Sequence, residues 1–355
     1  MTSQEPLAKR IPIISEHDTW ISVDPVIGCP ASCAYCYLGP IGLTGRQPRV
    51  RLSAAQAVEL LRDYLRATRD DLQGASDATP ICLGNYTDML MTEGNRRYLL
   101  EFARQAADAE LNRPLVVVSK GNMPRDLAES LDSLGMTVLI FHTQSFHRTT
   151  LSARTERGPV LAPEQTFELG AVYAGLTNVT PVHFWRPITR ETVPSADWAT
   201  EVATRLKAAG FACSVAIGLA VGVGVSQSDL VRTGLLTQYS AICDEKWDEQ
   251  VWRDISQAAK SVGYPVYRST SCAIALATRK PESLGVWDAR RGAADLCLPC
   301  NCPTEQRYVC ESRTLHSGDL EGPLSWISRQ LGEDGAHFVV LPGRRVRVAG
   351  EFPSP

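Results

Sequence analysis

Three cysteines lie within eight residues near the start of the chain, in the segment GCPASCAYCYLG (residues 28–39). Cys29, Cys33 and Cys36 have the spacing C-x3-C-x2-C, which lets three thiolates on one tight loop bind a single iron–sulfur cluster. A 4Fe–4S cluster held by three thiolates has one iron free of protein, and that iron can bind an exogenous chelating ligand. A structural zinc site needs a fourth ligand, and the nearest histidine, His17, precedes the first predicted strand. Zinc and unrelated buried thiols are the alternatives.

Four more cysteines form a second group in the segment CLPCNCPTEQRYVC. Four thiolates can form a tetrahedral zinc site or a fully ligated 4Fe–4S cluster, and prolines stiffen this loop. With all four ligands supplied by the protein, such a cluster would relay electrons and would bind no further ligand. The four residues are Cys297, Cys300, Cys302 and Cys310.

One isolated cysteine, Cys272, lies among polar residues in the segment YRSTSCAIALAT. The S–H bond of a thiol is weak enough to quench a carbon-centred radical, so Cys272 is a candidate hydrogen-atom donor. The alternative is a small buried side chain, which is the commoner fate of a free cysteine. The remaining isolated cysteines lie in apolar segments and are predicted to be core residues: Cys82, Cys213 and Cys243.

The composition of the chain narrows the classes of protein to which it can belong. The chain has eleven cysteines, seven of them in two groups, and we see no signal-peptide pattern near residue 1, so we expect metal or redox chemistry and not a disulfide framework. A net charge of −3 over 355 residues gives no general attraction to nucleic acid or anionic lipid. No apolar run approaches the ~20 residues that a membrane helix needs. We therefore expect a cytoplasmic protein without membrane contact.

Six β-rich runs alternate with helical patterns up to about residue 222, which predicts a parallel sheet covered by helices. Ser53 and Asp197 are predicted helix caps, and Pro124 and Pro163 mark the first turns of two other helices. In open α/β sheets and in barrels, functional residues gather at the carboxyl ends of the strands, where the first cysteine loop falls. The six runs are TWISVDPVIG, TPICLGNY, LVVVSK, MTVLIFHTQS, VTPVHFWRPI and ACSVAIGLAVG.

The pattern changes after this region, so we predict two domains. A barrel spans residues 15–225, and an extension over residues 226–355 carries Cys272 and the second cysteine group. The tail predicts a helix around LSWISRQL and a β-hairpin in HFVVLPGRRVRVAG.

The C-x3-C-x2-C loop after the first strand resembles the signature of the radical S-adenosylmethionine (SAM) superfamily, whose fold is a (βα)6 partial TIM-type barrel. This resemblance implies a 4Fe–4S cluster on the loop, whose free iron binds the amino and carboxylate groups of SAM. It also implies an electron donor of the flavodoxin or ferredoxin type, and cleavage of SAM to methionine and a hydrogen-abstracting 5′-deoxyadenosyl radical. In such a chain, we interpret the second cysteine group as a second 4Fe–4S cluster within a cysteine-rich C-terminal extension.

Residues 20–190 resemble, more closely, the branch of spore photoproduct lyase and DNA photolyase-like proteins. The resemblance rests on GCPASCAYCYLGPIGLTG, YTDMLMTEGNRRYLLEF and LVVVSKGNMPRDLAESL. In that lyase, a hydrogen-donating cysteine lies three residues before the aspartate that Asp88 matches, and this chain has Asn85 there. Cys82 lies three residues earlier still. Because strand positions three apart face opposite sides, Cys82 is predicted not to replace the missing thiol.

The superfamily resemblance also implies cofactor contacts at the strand ends. Tyr35 is expected to pack on the adenine, and Tyr37 either carries a radical or serves packing. His142 and Gln144 end the fourth strand, and the glycine-rich residues 218–224 would let the backbone pass close to the adenine. The other candidate SAM-binding residues are Gly84, Asn85, Thr87, Asp88, Ser119, Lys120 and Arg186.

These inferences predict a radical SAM enzyme that abstracts hydrogen from a small molecule, such as a sugar, an aminoglycoside or a nucleoside. The expected outcome is an epimerisation or a related redox-neutral or oxidative change in specialised metabolism. The main alternative is repair of a nucleic-acid lesion of the spore photoproduct lyase type. Peptide modification and a non-enzymatic iron–sulfur protein are the remaining alternatives. The acidic charge balance and the asparagine at position 85 favour the small molecule.

Overall fold

The computed structural model describes residues 11–17, 19–71, 79–145, 155–220, 245–246, 248–282, 287–288, 292–293, 301–311, 337–341 and 345–349. The strands in these ranges are β1 (Ile14–Glu16), β2 (Ile21–Val23), β3 (Val26–Ile27), β4 (Arg49–Val50), β5 (Ile81–Leu83), β6 (Leu115–Ser119), β7 (Val138–Thr143), β8 (Val179–Trp185), β9 (Ser214–Ala216), β10 (Leu219–Ala220), β11 (Glu245–Lys246), β12 (Val266–Tyr267), β13 (Trp287–Asp288), β14 (Gly292–Ala293), β15 (His337–Leu341) and β16 (Arg345–Ala349). The helices are α1 (Ala54–Asp71), α2 (Glu93–Asp108), α3 (Arg125–Asp132), α4 (Pro163–Tyr173), α5 (Ala196–Ala208), α6 (Glu249–Val262), α7 (Thr270–Thr278) and α8 (Thr304–Glu311).

Eight strands form one sheet in the order β1-β2-β5-β6-β7-β8-β9-β12. All neighbours pair in parallel except β1, which runs antiparallel to β2 at one edge. The six strands predicted from the sequence are β2 and β5 to β9, so the predicted α/β class with a mainly parallel sheet is confirmed. The strand β12 extends this sheet past residue 225, and the division into two domains stays a prediction.

The two faces of the sheet have different partners. Side chains on the outer face, such as Val117 and Ile140, share one apolar cluster with helices α1 to α6. Side chains on the inner face form a second cluster with α7, which supplies the buried Ala273 and Ile274. A hydroxyl contact of 3.1 Å between Thr19 and Thr270 also ties α7 to the start of β2. The sheet is therefore covered on both faces, and α7 covers the inner one.

The helix starts follow local side-chain chemistry. Ser53 caps α1 as predicted, since its hydroxyl accepts a hydrogen bond from the backbone N–H of Gln56 at 3.3 Å. The predicted cap Asp197 is wrong: α5 is capped by Ser195, whose hydroxyl accepts from the N–H of Trp198 at 3.1 Å. Asp197 lies instead in the first turn, where the helix dipole favours a negative charge.

In the carboxyl-terminal part of the chain, the structure describes only short separate segments. The predicted hairpin is confirmed, because β15 and β16 pair antiparallel. The predicted helix around LSWISRQL lies outside the described residues. None of the described helices is both long enough and apolar enough to cross a bilayer.

The contact between α4 and the end of α5 requires a glycine. A Cβ at Gly170 would lie 2.4 Å from the carbonyl oxygen of Ala209 and 2.9 Å from its Cα, closer than atoms can approach. We expect Gly170→Ala to lower the free energy of unfolding by about 1–3 kcal/mol, measured by urea denaturation. The control is Gly94→Ala in α2, where the added Cβ meets nothing within 4 Å and stability should hold or rise. Equal stability of the two variants would contradict this packing.

Candidate functional site

The first cysteine loop follows β3 at the carboxyl edge of the parallel sheet. Gly28, with a φ of +99°, turns the chain into the loop. The N–H of Cys29 donates to the carbonyl of Leu43 at 2.8 Å, and the N–H of Arg46 donates back to the carbonyl of Cys29 at 2.9 Å. These bonds close residues 29–46 into a compact loop that carries all three thiols.

A second segment, at residues 155–157, fastens the middle of the loop. The backbone N–H of Ser32 donates to the carbonyl of Arg157 at 2.7 Å, and the N–H of Ala34 donates to that of Thr155 at 2.7 Å. This segment follows β7 in the chain, so a connection far along the sequence determines where the thiols lie.

A third segment, after β5, holds the start of the loop through predicted SAM-binding residues. The hydroxyl of Thr87 donates to the carbonyl of Gly28 at 2.6 Å. The carboxylate of Asp88 accepts from the hydroxyl of Ser119 at 2.6 Å and from the N–H of Lys120 at 2.7 Å. The side chains of Thr87, Asp88 and Ser119 are thus engaged in internal hydrogen bonds that join the ends of β5 and β6 to the cysteine loop.

Lys120 and Tyr35 meet at a buried carboxylate. The Lys120 ammonium lies 2.6 Å from Oε1 of Glu156 and 5.5 Å from the centre of the Tyr35 ring. The Tyr35 hydroxyl donates a hydrogen bond to the same carboxylate oxygen. The Glu156 side chain is only 1% exposed, so this ion pair is shielded from solvent. Sequence reasoning missed Glu156, because a single acid in the segment TERG carries no spacing signal.

Burial controls the protonation of the three thiols. Desolvation raises the pKa of Cys29 to about 12 and also raises the pKa values of Cys33 and Cys36. The positive charge of Lys120 acts in the opposite direction on all three, and that of Arg186 does so on Cys36. Without metal, the thiols are therefore protonated at neutral pH, and metal binding must release protons.

The donor set fits an iron–sulfur cluster. Cys29, Cys33 and Cys36 pack into one apolar cluster, and residues 28–45 contain no aspartate or glutamate that would favour a harder metal ion. Nearby cations, Lys120 and Arg186, suit the negative charge of a thiolate-bound cluster. Within the described ranges, the side chains do not place three metal ligands around a common point.

The predicted relation between Cys82 and Asn85 is wrong. The Cys82 thiol donates to the side-chain oxygen of Asn85 at 3.3 Å, so the two side chains lie together. The reason is Gly84, whose φ of +87° ends the strand and turns Asn85 back toward Cys82. Tyr37 lies at the same place, because its hydroxyl donates to the backbone carbonyl of Asn85. The Tyr37 side chain is 42% exposed, which distinguishes it from the buried Tyr35.

Other candidates at the strand ends lie on different sides of the sheet. Arg186 follows β8 with its guanidinium 5.9 Å from the ring of Phe184, an inner-face residue. His142 lies instead between the sheet and α4, where its Nε2 is 2.5 Å from the hydroxyl of Tyr173. Burial lowers the pKa of His142 to about 3, so the ring is neutral. Gln144 donates to the carbonyl of Leu161 at 3.1 Å. Of the glycine-rich residues 218–224, only 218–220 are described.

The second cysteine group is described in part. Cys302 precedes α8 and packs against the inner-face cluster, and Cys310 lies within α8. Cys272 lies in the first turn of α7, half-buried against the same cluster. Three further cysteines lie outside the described residues: Cys243, Cys297 and Cys300.

Comparison with solved structures identifies the fold. Spore photoproduct lyase in complex with a dinucleoside spore photoproduct matches with a TM-score of 0.54 and 13% identity, over 70% of this chain and 75% of that one. A point mutant of the lyase gives 0.53 and 12% over the same shares. A double mutant with bound SAM and dinucleoside spore photoproduct gives 0.52 and 12%, over 68% and 74%.

The chain thus has the fold of spore photoproduct lyase, with a mainly parallel sheet. This fold agrees with the resemblance of the sequence motifs to the branch that contains this lyase. At this level of identity the similarity concerns the fold alone. No protein-family model matches the chain, and no curated protein matches it significantly by sequence.

Proposed function

We propose that this chain is a radical SAM enzyme with a small-molecule substrate. The observation that carries the proposal is the C-x3-C-x2-C loop at the carboxyl edge of a parallel sheet, closed by its own backbone hydrogen bonds and held by two other segments of the chain, residues 86–87 and 155–157. Three thiols on this loop, beside the Lys120–Glu156 pair, provide cluster ligands and a charged group at one site. The fold of the superfamily supports the same interpretation.

The residues of this site would have different roles. Cys29, Cys33 and Cys36 would hold a 4Fe–4S cluster. When bound, that cluster would pass one electron to SAM and so cleave it to methionine and a 5′-deoxyadenosyl radical. The electron would come from a donor of the flavodoxin or ferredoxin type. Lys120 would bind the SAM carboxylate, with its ammonium held in position by Glu156. Tyr35 packs beside Lys120, and both are screened from water.

The substrate class follows from charge and from the inner face of the sheet. Since the net charge is −3, the chain has no general attraction for a polyanion. The helix α7 covers the inner face, which leaves the carboxyl edge of the sheet as the place for a substrate. We propose a sugar, an aminoglycoside or a nucleoside, with epimerisation or a related change as the outcome.

Repair of a nucleic-acid lesion is the second candidate. One observation favours it: two of the structures with this fold contain a dinucleoside spore photoproduct. The two candidates differ in substrate and share the radical chemistry.

Anaerobic reconstitution with iron and sulfide, followed by reduction with dithionite, tests the proposal. We expect the chain to convert SAM to methionine and 5′-deoxyadenosine. Deuterated candidate substrates should then transfer label into 5′-deoxyadenosine, with a dinucleoside photoproduct included among them. A fully iron-loaded chain that does not cleave SAM would overturn the assignment.

We further propose that the second cysteine group holds a 4Fe–4S cluster. Cys297, Cys300, Cys302 and Cys310 would supply all four ligands, and the cluster would relay electrons. A zinc ion at these four thiolates is the competing occupant.

Cys272 is proposed as the hydrogen donor to the substrate radical. We expect Cys272→Ala to retain substrate-dependent formation of 5′-deoxyadenosine, because abstraction does not involve this thiol. Product should fall at least about tenfold, since the radical would lack its donor. In D₂O, the unsubstituted chain should place solvent deuterium in the product, because a thiol exchanges its proton before donating a hydrogen atom.

The other inner-face cysteines serve as comparisons. Cys213→Ala removes a buried thiol and should leave product formation unchanged. If Cys272→Ala makes product at the full rate, Cys272 is a packing residue. If Cys82→Ala then loses product instead, the donor is the thiol beside Asn85.

A further inference from the structure

The solvent-exposed side of the first cysteine loop is positively charged. Residues 25–58 contain three arginines and neither aspartate nor glutamate, although the whole chain has a net charge of −3. Arg46 and Arg49 are exposed to solvent, and so is Arg157 in the segment that fastens the middle of the loop. The acid next to Arg157 in the sequence, Glu156, is buried in an ion pair. Arg46, Arg49 and Arg157 therefore form a basic surface on a chain that is acidic overall.

Two of these arginines flank one peptide unit of the loop. The carbonyl of Ala31 accepts a hydrogen bond from the N–H of Gly45, the residue before Arg46, at 2.9 Å. The N–H of Ser32, in the same peptide unit, donates to the carbonyl of Arg157 at 2.7 Å. Because the C=O and the N–H of a planar trans peptide point in opposite directions, Arg46 and Arg157 lie on opposite sides of Ser32.

The basic surface lies close to one of the three thiols of the loop. Ser32 is exposed, and the residue that follows it is Cys33. Since the Cα atoms of neighbouring residues are about 3.8 Å apart, a molecule that rests on Ser32 comes within one residue of this thiol. Arg49 extends the basic surface, because it pairs through β4 with Ile27, just before the loop.

The charges of the basic surface are not used within the fold. In the part of the chain that the structure describes, the side chains of Arg46, Arg49 and Arg157 form no ion pair and no hydrogen bond. Exposed arginines elsewhere do so, as Arg97 shows with Glu93 at 2.9 Å. Three such cations around one exposed turn attract a negatively charged partner and raise its rate of association.

We propose that Arg46, Arg49 and Arg157 form the docking surface for an acidic electron-transfer protein of the flavodoxin or ferredoxin type. This inference rests on the radical SAM function proposed above. In the docked complex, one electron would pass from the carrier protein to the first cysteine loop, so the carrier is oxidised by one electron and no bond is made or broken. A single-stranded nucleic acid fits this surface less well, because its bases stack on aromatic rings, and residues 46–49 and 155–160 contain none.

The test measures the binding of a purified flavodoxin to the full chain, reconstituted with iron and sulfide, by titration calorimetry. We expect Arg46→Glu/Arg157→Glu to raise the dissociation constant on the order of tenfold at low salt, because charges that attract are replaced by charges that repel. The difference should disappear at about 1 M salt, where screening limits the interaction to about 3 Å.

The source of the electron provides the second measurement. Formation of 5′-deoxyadenosine driven by reduced flavodoxin should fall in parallel with flavodoxin binding in the charge-reversed variant. Dithionite is a small reductant that needs no docking surface, so it should still drive SAM cleavage in this variant at the rate of the unsubstituted chain.

Arg62→Glu/Arg104→Glu is the matched control. Both arginines are exposed, on helices α1 and α2, so this variant makes the same change in net charge away from the loop and should bind flavodoxin normally. Arg46→Gln/Arg157→Gln removes the two charges without adding repulsion. It should show a smaller loss of binding, and it keeps the test decisive if the charge-reversed chain does not fold.

The outcomes separate the docking surface from the proposed function. Equal binding of flavodoxin by the unsubstituted and charge-reversed chains, or no binding by either, would overturn the inference, and so would an equal loss in the control. A charge-reversed chain that keeps flavodoxin but loses a short single-stranded oligonucleotide would show that the surface binds nucleic acid instead. Failure of dithionite to drive SAM cleavage in the unsubstituted, iron-loaded chain would overturn the proposed function itself.

Discussion

Alanine at Cys29, Cys33 or Cys36 is expected to abolish reductive cleavage of SAM. Each substitution removes one of three ligands on the loop, and two thiolates cannot hold a cluster with a single open iron. We expect 5′-deoxyadenosine formation to fall by at least about a thousandfold, to the level without enzyme. The measurement is the yield of 5′-deoxyadenosine after anaerobic reconstitution and reduction, normalised to the protein concentration.

Cys213→Ala is the control for loss of a thiol as such. Cys213 is fully buried on the inner face, so its substitution costs stability but leaves the loop intact. SAM cleavage should persist in this variant. If the triple alanine variant of the loop still cleaves SAM under dithionite, the assignment to radical SAM chemistry is wrong.

Glu156→Gln is expected to affect both stability and activity. It leaves the Lys120 ammonium, whose side chain is 12% exposed, without its carboxylate partner. Breaking a buried ion pair in this way costs about 3–5 kcal/mol of the free energy of unfolding. SAM cleavage should also fall on the order of a hundredfold, because Lys120 and Tyr35 lose the contact that orients them. Thermal unfolding of the metal-free protein and the 5′-deoxyadenosine assay measure the two effects.

Two further variants separate the structural effect from the functional one. Glu164→Gln breaks an exposed pair with Arg205 and should cost less than about 1 kcal/mol. The double variant Lys120→Met/Glu156→Leu removes both charges and should recover most of the stability, without recovering SAM cleavage. Recovery of full activity in the double variant would show that Lys120 does not bind the cofactor.

The fold could be read from the sequence where strands are covered on both faces. Leu115–Ser119 and Val138–Thr143 are almost uniformly apolar, as expected for buried parallel strands. The helix α7 could not be predicted in this way. It lies against the inner face of the sheet, so TSCAIALAT is apolar around most of its circumference and has no clear helical period.

The site was predictable only where its residues lie close together in the sequence. The cysteine spacing identifies the first loop, because three ligands fall within eight residues. Glu156 approaches Lys120 through the fold alone, across 36 positions of the chain. The contact between Cys82 and Asn85 was mispredicted, because it depends on the backbone turn at Gly84 and not on strand alternation.

The attachment of the cysteine loop to two separate segments of the chain has a consequence for the order of assembly. Backbone hydrogen bonds within the loop, and with residues 86 and 155–157, shape the loop. Small zinc-binding domains fold only when the metal arrives. Here we expect the backbone of the loop to fold first, and the three thiols to converge on a common point only as iron and sulfide bind. We therefore expect oxidative loss of the cluster to be reversible, because the backbone hydrogen bonds would keep the apoprotein folded while a new cluster is assembled.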